Sequence, residues 1–355
     1  MTRDIFGDAP VRERNFASDN NAGSCPEVLA ILEEANKGHA PGYGDDVWTQ
    51  RAAAGVRELF EVECEVFFVF NGTAANSLAL ATLCRSYHGI LCHDMSHVET
   101  DECGAPEFFG GGTKVIPLPG EDGRLSAESI EEAALRRNDV HFPKIKALSL
   151  TQATELGTVY EVDHLAAIGE SAKRCGLSIH LDGARLANAV AQLGVSPKEL
   201  IEASSADVLC FGSTKNGSPV GDAVVFFNRG LAAEFEYRRK QAGQLASKMR
   251  YLAAPWVALM ENDLWLRNAR HANSMAECLR REIEQISEVK VRFPRQANSV
   301  FVDIPEKAQA ALREKGWLFY VFLGKTVCRL MCSWDLTNDD VAEFATDLRE
   351  ALEQE

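Results

Sequence analysis

Apolar runs of strand length alternate along this chain with stretches whose apolar positions recur every three to four residues. Pro26 opens a predicted helix to about Lys37, and a glycine-rich loop from Gly38 to Gly44 separates it from a second helix, Trp48 to Phe60. The run Val66–Phe70 reads as a strand, Asn71 and Gly72 as a turn, and Thr73–Tyr87 as a small-residue helix. Short strands follow at Ile90–Cys92 and Thr113–Leu118, then a helix from Ser126 to Arg137, with Ser126 placed to cap its first amides. Ile145–Leu150 is a strand; Asp163 starts a helix with Leu165, Ile168 and Ala172 on one face, and Gly176 stops it. Leu177–Asp182, Asp207–Gly212 and Ala223–Phe227 complete the set of apolar runs. Strands apolar on both faces, with helices between them, predict an α/β layer around a mostly parallel sheet.

From about Arg250 the pattern changes to a helical stretch reaching Ile286, strands near Val289–Phe293, Ser299–Ile304 and Val327–Met331, and a terminal helix. The expected division is an N-terminal segment (1–20), a large domain (21–249) and a smaller C-terminal α/β domain (250–355). No internal repeat is visible. No GxGxxG opens a helix, so a dinucleotide fold has no direct support.

Composition adds limits. With 46% hydrophobic and 25% charged residues the chain is ordinary for a globular protein, and a net charge of −15 argues against nucleic acid as a partner. The longest apolar run, Val66–Phe70, is far too short to span a bilayer, and Met1–Arg14 alternates charges without the apolar segment of an export signal. The ten cysteines form no CxxC pair and read as reduced residues, so a cytoplasmic location is expected.

Three segments carry chemistry. In FGSTKNG, Lys215 follows a strand in a turn of small and hydroxyl-bearing residues; solubility alone explains such a lysine poorly, although taken singly most such lysines lie on surfaces. In HLDGARLANA, Asp182 ends an apolar strand, where a lone carboxylate is costly to desolvate unless it serves a purpose. There it could hold a pyridinium nitrogen protonated, Gly183 and Ala184 leave room for a flat ring, and Arg185 offers a fork for a carboxylate; a structural Asp–Arg pair is the equal alternative. In FNGTAAN, a glycine turn before a helix, with the Thr73 hydroxyl, makes a phosphate cradle. Each signal is common alone. Together they place cradle, acid and amine at three strand ends.

At that point the chain resembles the fold-type-I pyridoxal-phosphate (PLP) enzymes, specifically the L-threonine aldolase group of the β-eliminating lyase and threonine aldolase superfamily. The resemblance covers nearly the whole chain and rests also on DECGAPEFF, TQATELGTVY, CFGSTKNG and RLMCSWD, in order. It implies a fold-type-I PLP-dependent transferase-like architecture and cleavage of L-threonine, L-allo-threonine and related β-hydroxy-α-amino acids to glycine and an aldehyde. It further implies that Lys215 holds the cofactor covalently, Asp182 pairs with its ring nitrogen, Gly72, Thr73 and Ser213 take its phosphate, and His97 stacks on its ring. Ser18, Arg185 and Arg329 would hold the substrate carboxylate, and His97 or His141, or a water held by either, would take the hydroxyl proton. Such enzymes are typically dimers of dimers with shared sites, so Tyr43 and Arg238–Lys240 become candidates to reach a neighbouring copy, with a solvated face the bland reading of most of that basic run. Two departures from the group touch the substrate side: Thr151-Gln152-Ala153-Thr154 where many relatives carry an Asn–Thr–His segment, and Ser18-Asp19-Asn20 in place of Ser–Asp–Thr.

Competing readings make different predictions. Another β-eliminating lyase or an aminotransferase on the same site would release ammonia or a 2-oxo acid rather than an aldehyde. A non-catalytic binding relative would lack Lys215 or Asp182, and both are present. His93 and His97 with the following acids superficially resemble a metal cluster, which chelators would test; no metal is expected.

Overall fold

A computed structural model describes residues 12–353; the first eleven positions of the expected N-terminal segment lie outside it, as do the last two of the chain. Eleven strands form two sheets. The larger sheet is built from β1 (Glu65–Val69), β2 (His88–His93), β3 (Lys114–Leu118), β4 (Lys144–Thr151), β5 (Ser178–Gly183), β6 (Val208–Phe211) and β7 (Asp222–Phe226), in the spatial order β1-β7-β6-β5-β4-β2-β3. Only β7 is reversed: it pairs antiparallel with β1 and with β6, and the remaining pairs are parallel. All seven runs anticipated from the sequence are present, because strands covered by helices on both faces have no polar alternation to hide them.

The smaller sheet, β8 (Lys290–Val291), β9 (Ser299–Asp303), β10 (Tyr320–Leu323) and β11 (Val327–Met331), is antiparallel in the order β10-β11-β9-β8. Here β10 is an addition to the sequence reading. It is a four-residue, half-exposed edge strand hairpinned onto β11 through Gly324.

Capping fixes the helix starts. Asn71 accepts from the Ala74 amide at 2.9 Å and so sets the first turn of the helix Gly72–Leu83; Ser126 does the same for Ala127–Leu135, reciprocally with Ser129. Gly176 closes the helix Val162–Cys175 in the left-handed conformation the sequence anticipated.

Beneath the larger sheet, Phe211 packs on Trp256 at 4.9 Å and on Phe60 at 5.9 Å between ring centroids. Burial of each such ring contributes roughly 1.5–3 kcal/mol. Trp256 belongs to the helix Arg250–Met260, which packs into this core together with Leu264, Trp265 and Ala269; Met275, Ala276, Leu279 and Ile283, further along the helix Leu264–Glu284, join the other core. Phe16 also packs into that second core. We therefore propose a domain boundary between Ala269 and Met275 rather than at residue 250, with Arg12 and Phe16 crossing onto the smaller unit. No helix among the described residues is long and apolar enough to cross a membrane.

Candidate active site

Parallel strands deliver their C-terminal ends to one edge of a sheet, which is where open α/β folds gather ligands. That edge carries Gly72 after β1, His97 after β2, Asp182 at the end of β5 and Lys215 just beyond β6. The reversed β7 brings its first residue, Asp222, to the same edge. Gly72, Ala75, Asn76, His97, Glu155, Asp182, Ala184, Cys210, Gly212, Lys215 and Asp222 line one cleft of about 350 Å³. It leads to a wider mouth of about 1140 Å³ bearing Ser18, Asn20, Glu155, Arg185, Tyr320 and Arg329.

Lys215 lies in a short helical turn, Thr214–Asn216, pinned on both sides. Asn216 donates to the Trp265 carbonyl at 2.7 Å, and Gly217, at φ +95°, accepts from the Cys25 amide. Gly212 is needed just before it: a Cβ there would stand 2.7 Å from the Ala184 carbonyl oxygen, so only glycine lets the Asp182 and Lys215 turns approach.

Asp182 is buried, and its oxygens are held apart. Oδ1 accepts from the Ala184 amide at 3.0 Å, and Oδ2 accepts from Asn76 Nδ2 at 3.0 Å. The same Asn76 amide donates to Glu102 Oε1 at 2.8 Å, and Glu102 in turn holds His97 Nδ1 at 2.9 Å. Burial raises the Glu102 pKa, while the hydrogen bond that His97 donates to Glu102 raises the pKa of His97 against its own burial. Asn76 thus ties the histidine and the aspartate into one network; it sits four residues after Gly72, on the same helix face. His93 takes no part. Its Nδ1 accepts from the Met95 amide, leaving Nε2 to donate to the Gly120 carbonyl.

The Gly72 and Thr73 amides, at the start of their helix, make no hydrogen bond among the described residues, as expected of a helix N-terminus kept for an anion. Ser213 is fully buried and turned away: its amide donates to Asp222 Oδ1 and its hydroxyl to the Gly221 carbonyl. Both of its donors are spent within the chain.

At the mouth, Arg185 grips Asp19 through Nε and Nη2 at 2.7 and 2.9 Å, and Asn298 also donates to Asp19 at 3.0 Å. Burial opposes both charges, yet their mutual attraction wins, raising the pKa of Arg185 and lowering that of Asp19. Arg329 is different. Its nearest carboxylate, Glu155, stands at 3.9 Å, and its buried Nε has no partner; burial and the nearby Arg185 lower its pKa. Ser18 borders the mouth and accepts from the Asn20 amide.

His141 is not in this cleft. It is exposed in the loop before β4, whose eight residues separate the start of the strand from the site edge by about 26 Å. Within one chain it therefore stands at the far end of the sheet. The basic run divides in two: Arg239 turns inward, buried over the Phe67 ring, while Lys240 is exposed over Tyr43 at 4.9 Å and Arg238 borders the same open groove. Asn76, Glu155 and Asp222 line the cleft without having stood out in the sequence.

A sequence model of the β-eliminating lyase family matches residues 15–307. The chain belongs to that family. Within it, the chain is 54% identical over 341 residues to the low specificity L-threonine aldolase of a Pseudomonas species, covering 96% of this chain and 99% of that one. It is 55% identical over 336 residues to the enzyme of the same name from Pseudomonas aeruginosa, covering 95% and 97%. In three dimensions it is similar to a Leishmania major threonine aldolase, with a TM-score of 0.89, 28% identity and coverage of 94% and 98%. The chain thus sits in the threonine aldolase group, on the fold that group uses.

Proposed function

We propose that the chain is a PLP-dependent L-threonine aldolase, cleaving L-threonine, L-allo-threonine and related β-hydroxy-α-amino acids to glycine and an aldehyde. The observation that carries this is one continuous cleft with Lys215 and Asp182 inside and an unsatisfied guanidinium at its mouth. Named relatives at 54% and 55% identity support it.

The residues fit the cofactor. A phosphate ester needs donors already free of other partners, and the Gly72 and Thr73 amides meet that need. A ring nitrogen needs a buried acceptor with fixed orientation, and Asp182, held by Asn76 and the Ala184 amide, supplies one. Pyridoxal phosphate, when bound, supplies the electron sink for the bond that breaks.

The remaining roles fall to the chain itself. Lys215 offers the amine that would hold the cofactor covalently. The His97 ring would cover the cofactor from the opposite wall. Its Nδ1–H is committed to Glu102, which leaves Nε2 to accept the β-hydroxyl proton, directly or through a water. Arg329, Ser18 and the remaining Nη1 edge of Arg185 would fix the substrate carboxylate, and that orientation is worth several kcal/mol of barrier. Ser213 would act indirectly, through Asp222. His141 could reach a site only in another copy of the chain.

Exposed Tyr43, Phe70 and Tyr237, close in sequence or space to the cradle and to Lys240, support a second copy covering this side, and a dimer of dimers is our reading of the assembly. Its ten free thiols suit a reducing compartment such as the cytoplasm.

The test is direct. Purified protein should be yellow and release glycine and acetaldehyde from L-threonine; Lys215→Ala should lose both the visible absorbance and turnover. Full activity in Lys215→Ala would overturn the assignment.

A further inference from the structure

Asp222 presents a physical conflict. It stands at the cradle end of the cleft, where an anion is to bind, yet it is a carboxylate and almost fully buried. A Cβ placed on Gly72, the first residue of the cradle helix, would lie 3.6 Å from its Oδ2. Oδ1 is occupied by the Ser213 amide at 2.9 Å, so the carboxyl cannot swing away, and Oδ2 remains on the cleft side. Two like charges cannot share a dry site unless one is neutralised.

We infer that Asp222 is a proton-linked part of the cofactor site: it takes a proton from solvent as the phosphate-bearing cofactor binds, and the neutral carboxyl then donates a hydrogen bond from Oδ2 toward the anion. This rests on the PLP reading above. The proton added to Asp222 offsets one of the two negative charges of an incoming phosphate dianion, so the dry end of the cleft gains one net negative charge rather than two.

The surroundings favour this exchange. Lys215, on the turn after β6, faces Asp222 and favours its ionised form, as do the Ser213 and Thr214 amides. Asp182 on β5 opposes it, and the Cys210 thiol on β6 feels the same charge. From β1 and the cradle helix Asp222 meets the backbone around its ladder partner Val69 and around Gly72, and from the helix Arg250–Met260 the Trp256 indole binds the adjacent Gly221 carbonyl. Burial prevails over these neighbours and pushes the Asp222 pKa up to about 6. A group poised there is ionised at neutral pH in the free protein and accepts a proton at little cost once an anion places its charge beside it.

Pyridoxine 5′-phosphate is the probe, because its alcohol cannot join Lys215 and so leaves that amine out of the proton count. Calorimetric titration of the full-length, cofactor-stripped protein at pH 8, in two buffers of different ionisation enthalpy, should show more proton uptake by wild type than by Asp222→Asn. Between pH 6 and pH 8 the wild-type Kd should weaken relative to the variant by at least tenfold, and by about fiftyfold if the bound carboxyl stays protonated throughout. Asp222→Ser repeats the comparison should the Asn variant misfold, and uptake by wild type alone is informative without either. Binding with equal uptake and a parallel pH dependence overturns the role of Asp222 and leaves the cofactor reading standing. Absence of binding by wild type as well as variants overturns both.

Discussion

Arg185 and Arg329 are two guanidiniums at one cavity mouth, the first buried and the second partly exposed, and the fold treats them oppositely. Arg185 is closed: Asp19 meets it at 2.7 and 2.9 Å, and Asn298 braces the carboxylate from the smaller unit. Arg329 is left open, with Glu155 no nearer than 3.9 Å and a buried nitrogen unpaired. Leaving a desolvated donor unmatched costs about 1–3 kcal/mol, more for a charged group. A closed pair needs no ligand, whereas an open one is completed by an anion. In the proposed site, the difference separates a cation engaged mainly with Asp19 from one whose fork is left for a substrate carboxylate.

The largest effect expected from this contrast is on stability. Asp19→Ala would strand Arg185 in a buried site, and removal of one partner of such a pair costs about 3–5 kcal/mol. Denaturant unfolding at pH 7 measures it. Because Asp19 has its pKa lowered on folding, its contribution is full above the ordinary value of 3.8 and fades as the pH falls through the lower folded value. The gap between wild type and variant should therefore narrow only in strong acid. A loss under 1 kcal/mol would mean that Arg185 is as open as its neighbour.

Next comes binding. Arg329→Gln should lower kcat/KM for L-threonine by on the order of a hundredfold to a thousandfold, the usual consequence of removing a largely desolvated charge that would meet a carboxylate. Stability should change little, since a poorly compensated cation leaves the interior. Unchanged kinetics with a large loss of stability would reverse the assignment of the two arginines.

Much of this was legible from the sequence. The seven apolar runs became the larger sheet because buried parallel strands advertise themselves by composition, and three strand ends marked the cleft through glycine, aspartate and lysine. Boundaries were less so. The helical stretch from Arg250 to Ile286 divides at Glu261–Asp263, where Asn262 and Asp263 take left-handed φ of 52° and 53°. The helix begun at Gly72 ends at Leu83 rather than Tyr87. Asn76, Glu155 and Asp222 acquire meaning only through partners 26 or more positions away or on other strands, such as Glu102 and Asp182 for Asn76, and no local pattern encodes that. His141 is the converse case: its segment matched the family, yet the strand after it carries it to the far edge.

The smallest expected effect is the sharpest test of the contrast, because it concerns a counter-ion that barely engages. Glu155 is placed in the cleft by a braced loop: Gln152 binds the Tyr160 backbone at both its N–H and its carbonyl, and Thr154 meets Thr158 at 2.7 Å. It therefore shares the cleft with Arg329 without a hydrogen bond to it, and a substrate carboxylate must displace only a long-range attraction. Glu155→Gln should cost less than about 1 kcal/mol of stability, as weakly engaged pairs do, and should lower KM for L-threonine by a few-fold as Arg329 loses its competitor. Steady-state kinetics beside an unfolding curve resolve both. A loss of stability matching that of Asp19→Ala would show Glu155 to be as firm a partner as Asp19. Arg329 would then be closed before any substrate arrives, and the carboxylate would have to be held by Ser18 and the free edge of Arg185 alone.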